Sequence, residues 1–106
     1  MISQIDAAQF DPQVTNSNTP VLIEFFSDHC PSCKSLLPVL DEIATELPGK
    51  LQIYKFNAGE DAQFAARFRI GSVPNLILFK NGNPIGQRVG YVPKRDLVAW
   101  IDSTLA

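Results

Sequence analysis

The chain has 106 residues, of which 45% are apolar and 19% charged, and nine basic against eleven acidic side chains leave a net charge of -2. That length suits a single domain over residues 1–106, able to bury one core without staples, and the balance excludes intrinsic disorder and a strong single-sign field. The mild acidic excess argues against a nucleic-acid partner; with no leader-like start and no apolar run near ~18 residues, the expectation is a soluble, monomeric, cytoplasmic protein without membrane contact.

In chain order, Ile2 to Ile5 fits a short strand and Ala7 to Val14 a helix interrupted near Pro12, followed by a polar loop at Asn16 to Thr19. Val21 to Phe26 (VLIEFF) is a short apolar run between Pro20 and Ser27, the pattern of a central parallel strand covered on both faces. Leu36, Leu37, Leu40, Ile43, Ala44 and Leu47 then recur at helical spacing and predict a helix over 31–47, kinked at Pro38 and stopped by Pro48-Gly49. Leu51 to Phe56 reads as the next strand, and Phe64, Ala65 and Phe68 mark a short helix. Leu76 to Lys80 meets Asn81-Gly82, a strong hairpin signal, and Ile85 to Val89 returns antiparallel, with Pro84 suited to an edge. Leu97, Val98, Ile101 and Leu105 close the chain as an amphipathic helix, with Trp100 assigned to the core. The alternation predicts an α/β domain, a mixed sheet with helices on both faces.

Cys30 and Cys33 are the only cysteines, so they pair with each other or not at all. A staple closing so short a loop contributes roughly 2 kcal/mol before strain, which makes a reactive pair the better reading than a structural one. At the mouth of the helix, Cys30 faces unsatisfied N–H groups and the positive end of the helix dipole, which favour its thiolate; it is the expected nucleophile. Cys33, nearly one turn on, is the expected resolving thiol. A metal site needs two more ligands than the pair supplies, and His29, adjacent to Cys30, is badly placed to wrap around an ion; no metal is assigned.

Glu24 shares a strand face with Leu22 and Phe26 in a segment expected to be covered. Either it lies at an exposed margin or paired with a lysine, or it is a buried general base that takes the Cys33 proton through a water. Lys55 in the adjoining strand is its charge partner on the second reading and a solvated side chain on the first.

Cys30-Pro31-Ser32-Cys33, Lys34, Pro38, Val73-Pro74, Phe79-Lys80-Asn81-Gly82 and Gly90, in that order, resemble the thioredoxin family over essentially the whole length. The resemblance implies the thioredoxin fold, with a central five-stranded mixed sheet of order 1-3-2-4-5 flanked by four helices. It also implies a cis Val73-Pro74 peptide and a substrate groove formed by the helix mouth, Val73, Pro74 and Gly90. Glu24 and Lys55 fall on the family's buried acid and neighbouring lysine. Implied partners are disulfide-containing proteins and a thioredoxin reductase drawing on NADPH, with no cofactor bound to this chain beyond its own redox-active disulfide.

Departures from the family pattern are His29 before the motif, Pro31-Ser32 within it, Glu24 for aspartate, Phe26 for a common tryptophan, and Asn75 after the proline. With Cys30 as N-cap, the N–H groups of Ser32 and Cys33 are both expected to donate to its sulfur, where a proline at 32 would lack one donor. At roughly 1.5 to 3 kcal/mol per charged hydrogen bond, this raises the redox potential by some 30 to 60 mV. A protonated His29 acts in the same direction; otherwise it is an exposed histidine of no special role. The reading is dithiol-disulfide exchange on proteins. Its rivals are a thioredoxin-fold binding module with little redox work and a two-thiolate metal carrier across a dimer.

Overall fold

The computed structural model describes residues 2–106, and its sheet has the order β1-β3-β2-β4-β5. The strands are β1 (Ser3–Gln4), β2 (Val21–Phe26), β3 (Gln52–Asn57), β4 (Asn75–Lys80) and β5 (Asn83–Val89). The α-helices are α1 (Ala7–Phe10), α2 (Pro31–Glu46), α3 (Ala62–Ala66) and α4 (Lys94–Leu105). This is the thioredoxin fold expected from the resemblance.

Apart from Glu24, strand β2 is apolar because it is central and covered twice. Leu22 joins Leu36, Leu40 and Ile43 of α2 and Leu97 and Ile101 of α4 in one core. Val21, Ile23 and Phe25 point to the other face, where Phe10, Phe56, Phe64 and Phe79 form the second core. Phenylalanine rings there pack with centroids 4.8 to 5.8 Å apart, in tilted, stacked and edge-on arrangements. Strand β2 is the expected central strand of a mixed sheet: it runs parallel to β3 and antiparallel to β4. Burial on two faces produces the same continuous run whichever way the neighbour points.

Helix α2 passes through Pro38 unbroken and ends one residue early, with Leu47 as C-cap donating its N–H to Ile43. Leu51 belongs to the turn that follows, its N–H bonded to the Leu47 carbonyl, so β3 begins at Gln52. At the front, the interruption expected near Pro12 is instead a widening. α1 ends at Phe10 and a π-helical turn continues over Asp11–Thr15, with the Asn16 N–H reaching back to Asp11 O at 2.9 Å. Asn81 and Gly82 both take positive φ, 54° and 79°, which the two-residue hairpin between β4 and β5 requires. Pro84 lies on the edge strand β5 beside a register shift at Leu78/Phe79. Trp100 is half-buried rather than core. It packs beside Gly86, where an added Cβ would come within 3.0 Å of the indole, and Arg88 lies 5.7 Å over its ring.

Candidate active site

The register brings the C-terminal ends of β2 and β3, the start of β4 and the end of β5 to one rim of the sheet. Phe26 lies opposite Asn57, and Phe25, Asn75 and Val89 lie in line across β2, β4 and β5. Segments Ser27–Cys30, Val73–Pro74 and Gly90 all emerge at that rim.

Cys30 is the N-cap of α2, with extended backbone (φ -125°, ψ 96°), and Pro31 follows at the first helical turn, where its missing N–H costs nothing. Cys30 and Cys33 are joined as a disulfide with their Cα atoms 5.2 Å apart. Both are buried, Cys30 at 6% exposure and Cys33 at 2%. The Cys33 N–H donates to Cys30 Sγ at 3.2 Å. The expected second main-chain donor, Ser32 N–H, does not reach Cys30 Sγ: on this first turn it is the Ser32 hydroxyl that comes within 3.6 Å of the sulfur. Pro31 and His29 are exposed and Ser32 is half-buried.

Glu24 is fully buried, which removes the exposed-margin reading, and neither carboxylate oxygen has a hydrogen-bond partner. Burial pushes its pKa up from 4.5 to about 7, against a smaller lowering from the Lys55 charge. Lys55 is its register neighbour on β3 but forms no ion pair with it; the ammonium instead lies 5.5 Å over the Phe26 ring. Glu24, Phe26, Asp28, Cys33, Lys34 and Lys55 line one cavity of about 160 Å³. The acid and the second cysteine therefore open into the same space.

Val73-Pro74 is cis, and Pro74 O accepts the Gly90 N–H at 2.8 Å, with Gly90 at φ 92°. That bond ties the two loops of the expected groove together. Sequence reasoning missed two polar side chains that support this rim. Buried Asn57 donates from Nδ2 to Asp28 Oδ1 at 3.1 Å and to Glu60 Oε1 at 3.0 Å. Its Oδ1 accepts the N–H groups of Gly59 and Glu60, so one amide holds the loop before Cys30 against the turn after β3. Buried Asn75 accepts from Gln87 Nε2 at 2.8 Å. An asparagine at a strand end ahead of Ala-Gly-Glu-Asp was the available signal for the first; the second stood out only as a departure beside Pro74, with nothing local to show its partner.

Among the described residues no group of three or more His, Cys, Asp or Glu side chains is placed to hold a metal, and no helix is long and apolar enough to cross a membrane. A family model described as Thioredoxin matches residues 1–103. The chain is 39% identical over 101 residues to the thioredoxin of Haemophilus influenzae, covering 95% of this chain and 94% of that one. It is 34% identical over 105 residues to the thioredoxin of Rickettsia felis, covering 99% and 100%. It is also 36% identical over 103 residues to thioredoxin 1 of a Nostoc strain, covering 97% and 96%.

Proposed function

Because the chain belongs to the thioredoxin family, we propose that this protein-disulfide oxidoreductase works through Cys30 as nucleophile and Cys33 as resolving thiol. In the reduced protein the Cys30 thiolate attacks one sulfur of a substrate disulfide, a mixed disulfide forms and the other substrate sulfur leaves as thiolate. Cys33, losing its proton to Glu24, then attacks Cys30 Sγ and expels the second substrate sulfur, so the substrate gains two electrons and the Cys30–Cys33 disulfide forms. The observation that carries the reading is the N-capping cysteine disulfide-bonded to Cys33, which shares a cavity with an unpartnered buried carboxylate. A pKa near 7 suits Glu24 to accept a proton at neutral pH, and a cavity of about 160 Å³ accommodates a water relay. Lys55 tunes Glu24 through its field, and Val73, Pro74 and Gly90 form the groove for the substrate chain.

The single domain works as a cytoplasmic monomer, regenerated by a reductase drawing on NADPH. The Ser32 hydroxyl near Cys30 Sγ supports a potential about 30 mV above that of an ordinary thioredoxin, one charge-assisted hydrogen bond being worth roughly 1.5 kcal/mol at its weaker end. Insulin reduction with NADPH, with and without a thioredoxin reductase, tests the activity. Cys30→Ser is expected to abolish it and Cys33→Ser to accumulate mixed disulfides; reduction at wild-type rate by Cys30→Ser removes the assignment.

A further inference from the structure

Two arginines without an acid partner lie beside the free edge of the sheet. The Arg67 guanidinium carbon sits 4.9 Å from the Phe64 ring centroid, 5.6 Å from Phe68 and 6.0 Å from Phe10. The rings hold the guanidinium in place, and the residue remains exposed. Arg69, two residues on, is also exposed and is held in the left-handed region at φ 57°. Among the described residues neither forms a salt bridge. On a chain of net charge -2 this is a local basic site.

A groove of about 290 Å³ opens between these arginines and the β4–β5 hairpin, over Phe68, Ile77, Pro84 and Gln87. It adjoins the reactive rim, because Gln87 donates to Asn75, the residue after cis Pro74. From Gln87 to Gly90 is three residues, about 10 Å of extended chain. Strand β5 is an edge, so one side of its backbone is unpaired. Among the described residues, the large apolar side chains left exposed are Ile85, Val89 and Tyr91, at 39%, 58% and 48%. All three lie on β5 or just beyond it, in a strip running from the groove to Gly90.

We propose that this strip and groove form a second substrate contact: an extended, apolar segment of the substrate lies along β5 and places an Asp or Glu side chain between Arg67 and Arg69. The acidic side chain belongs about three to five residues from the substrate cysteine, the reach from the rim to the arginines along an extended chain. The unpaired edge supplies main-chain pairing and the arginines select the charge. The contact rests on the redox reading above for its substrate, but the surface exists without the chemistry.

The test uses two disulfide-linked peptides that differ only in Glu or Gln about four residues from the cysteine. Wild type is expected to reduce the Glu peptide with about fivefold higher kcat/KM, through KM, the size of one well-placed exposed ion pair. Arg67→Gln/Arg69→Asn keeps a stem over Phe64 and a residue tolerant of positive φ. It is expected to lose the preference with the Gln-peptide rate unchanged, as is wild type in about 0.5 M salt. Reduction of both peptides at equal rates, or equal slowing of both by the double variant, overturns the contact and leaves the redox reading standing. Cys30→Ser/Cys33→Ser protein is expected to bind the Glu peptide more tightly than the Gln peptide in fluorescence anisotropy. That preference, with no reduction of either peptide by wild type, would overturn the redox reading and leave the contact.

Discussion

Replacing Glu24 by Gln changes the pH dependence of folding in a way that the cavity around it dictates. The carboxyl titrates at 4.5 when unfolded and at about 7 when folded. A raised native pKa contributes stability that is fully present below pH 4.5 and is lost as pH rises through about 7. At ~1.4 kcal/mol per pH unit the loss is about 3 kcal/mol, a large share of the 5–15 kcal/mol that holds a domain together. Glutamine has the same shape and no charge, so its buried amide imposes a cost that does not vary with pH. The difference between variant and wild type should therefore move in favour of the variant by about 3 kcal/mol between pH 4 and pH 8.5. Urea unfolding of the oxidised protein across that range measures it, with the disulfide intact so that no thiol titrates. Parallel stability curves for the two proteins would refute the reasoning, since the carboxyl would then ionise as easily folded as unfolded.

Lys55→Met removes the charge that opposes burial, so the Glu24 midpoint is expected to rise above about 7, followed by infrared titration of the carboxyl band; a fall sinks the assignment of Lys55 as the tuning charge. Ser32→Ala should lower the redox potential by about 30 mV in glutathione equilibration, and an unchanged value shows the hydroxyl does not support the thiolate. Gly82→Ala is expected to destabilise by about 1 to 3 kcal/mol, because the residue sits at φ 79° and its Cβ would lie 2.8 Å from Thr15 O. Gly71→Ala, with open space around it, should be near neutral, and similar unfolding midpoints for the two variants would contradict the close approach.

Much of the architecture was readable because it is local. The β2 run, the α2 stripe and the Asn81-Gly82 turn each announce themselves within a dozen residues, and most element edges moved by only one or two positions, the start of α4 by three. The motif Cys30-Pro31-Ser32-Cys33 placed at the start of a helix identified the reactive pair for the same reason: a cap and its helix are neighbours in sequence. Less was readable where a pattern has two solutions. The run in β2 did not by itself reveal its antiparallel neighbour, and the apolar stripe of α4 did not reveal that Trp100 sits at the margin, where it packs beside Gly86.

By itself, then, the sequence determined which residues are chemically capable and which elements carry them. Only the tertiary structure decided that Glu24 is sealed beneath α2 with no partner, that Lys55 acts on it without touching it, and that Ser32 offers its hydroxyl to Cys30. It also placed Asn57 across two loops and Arg67 on three rings. The physical reason is range. Caps, turns and amphipathic periods arise from interactions a few residues apart, whereas desolvation, field strength and the pairing of buried polar groups depend on segments tens of residues apart that meet only when the sheet closes.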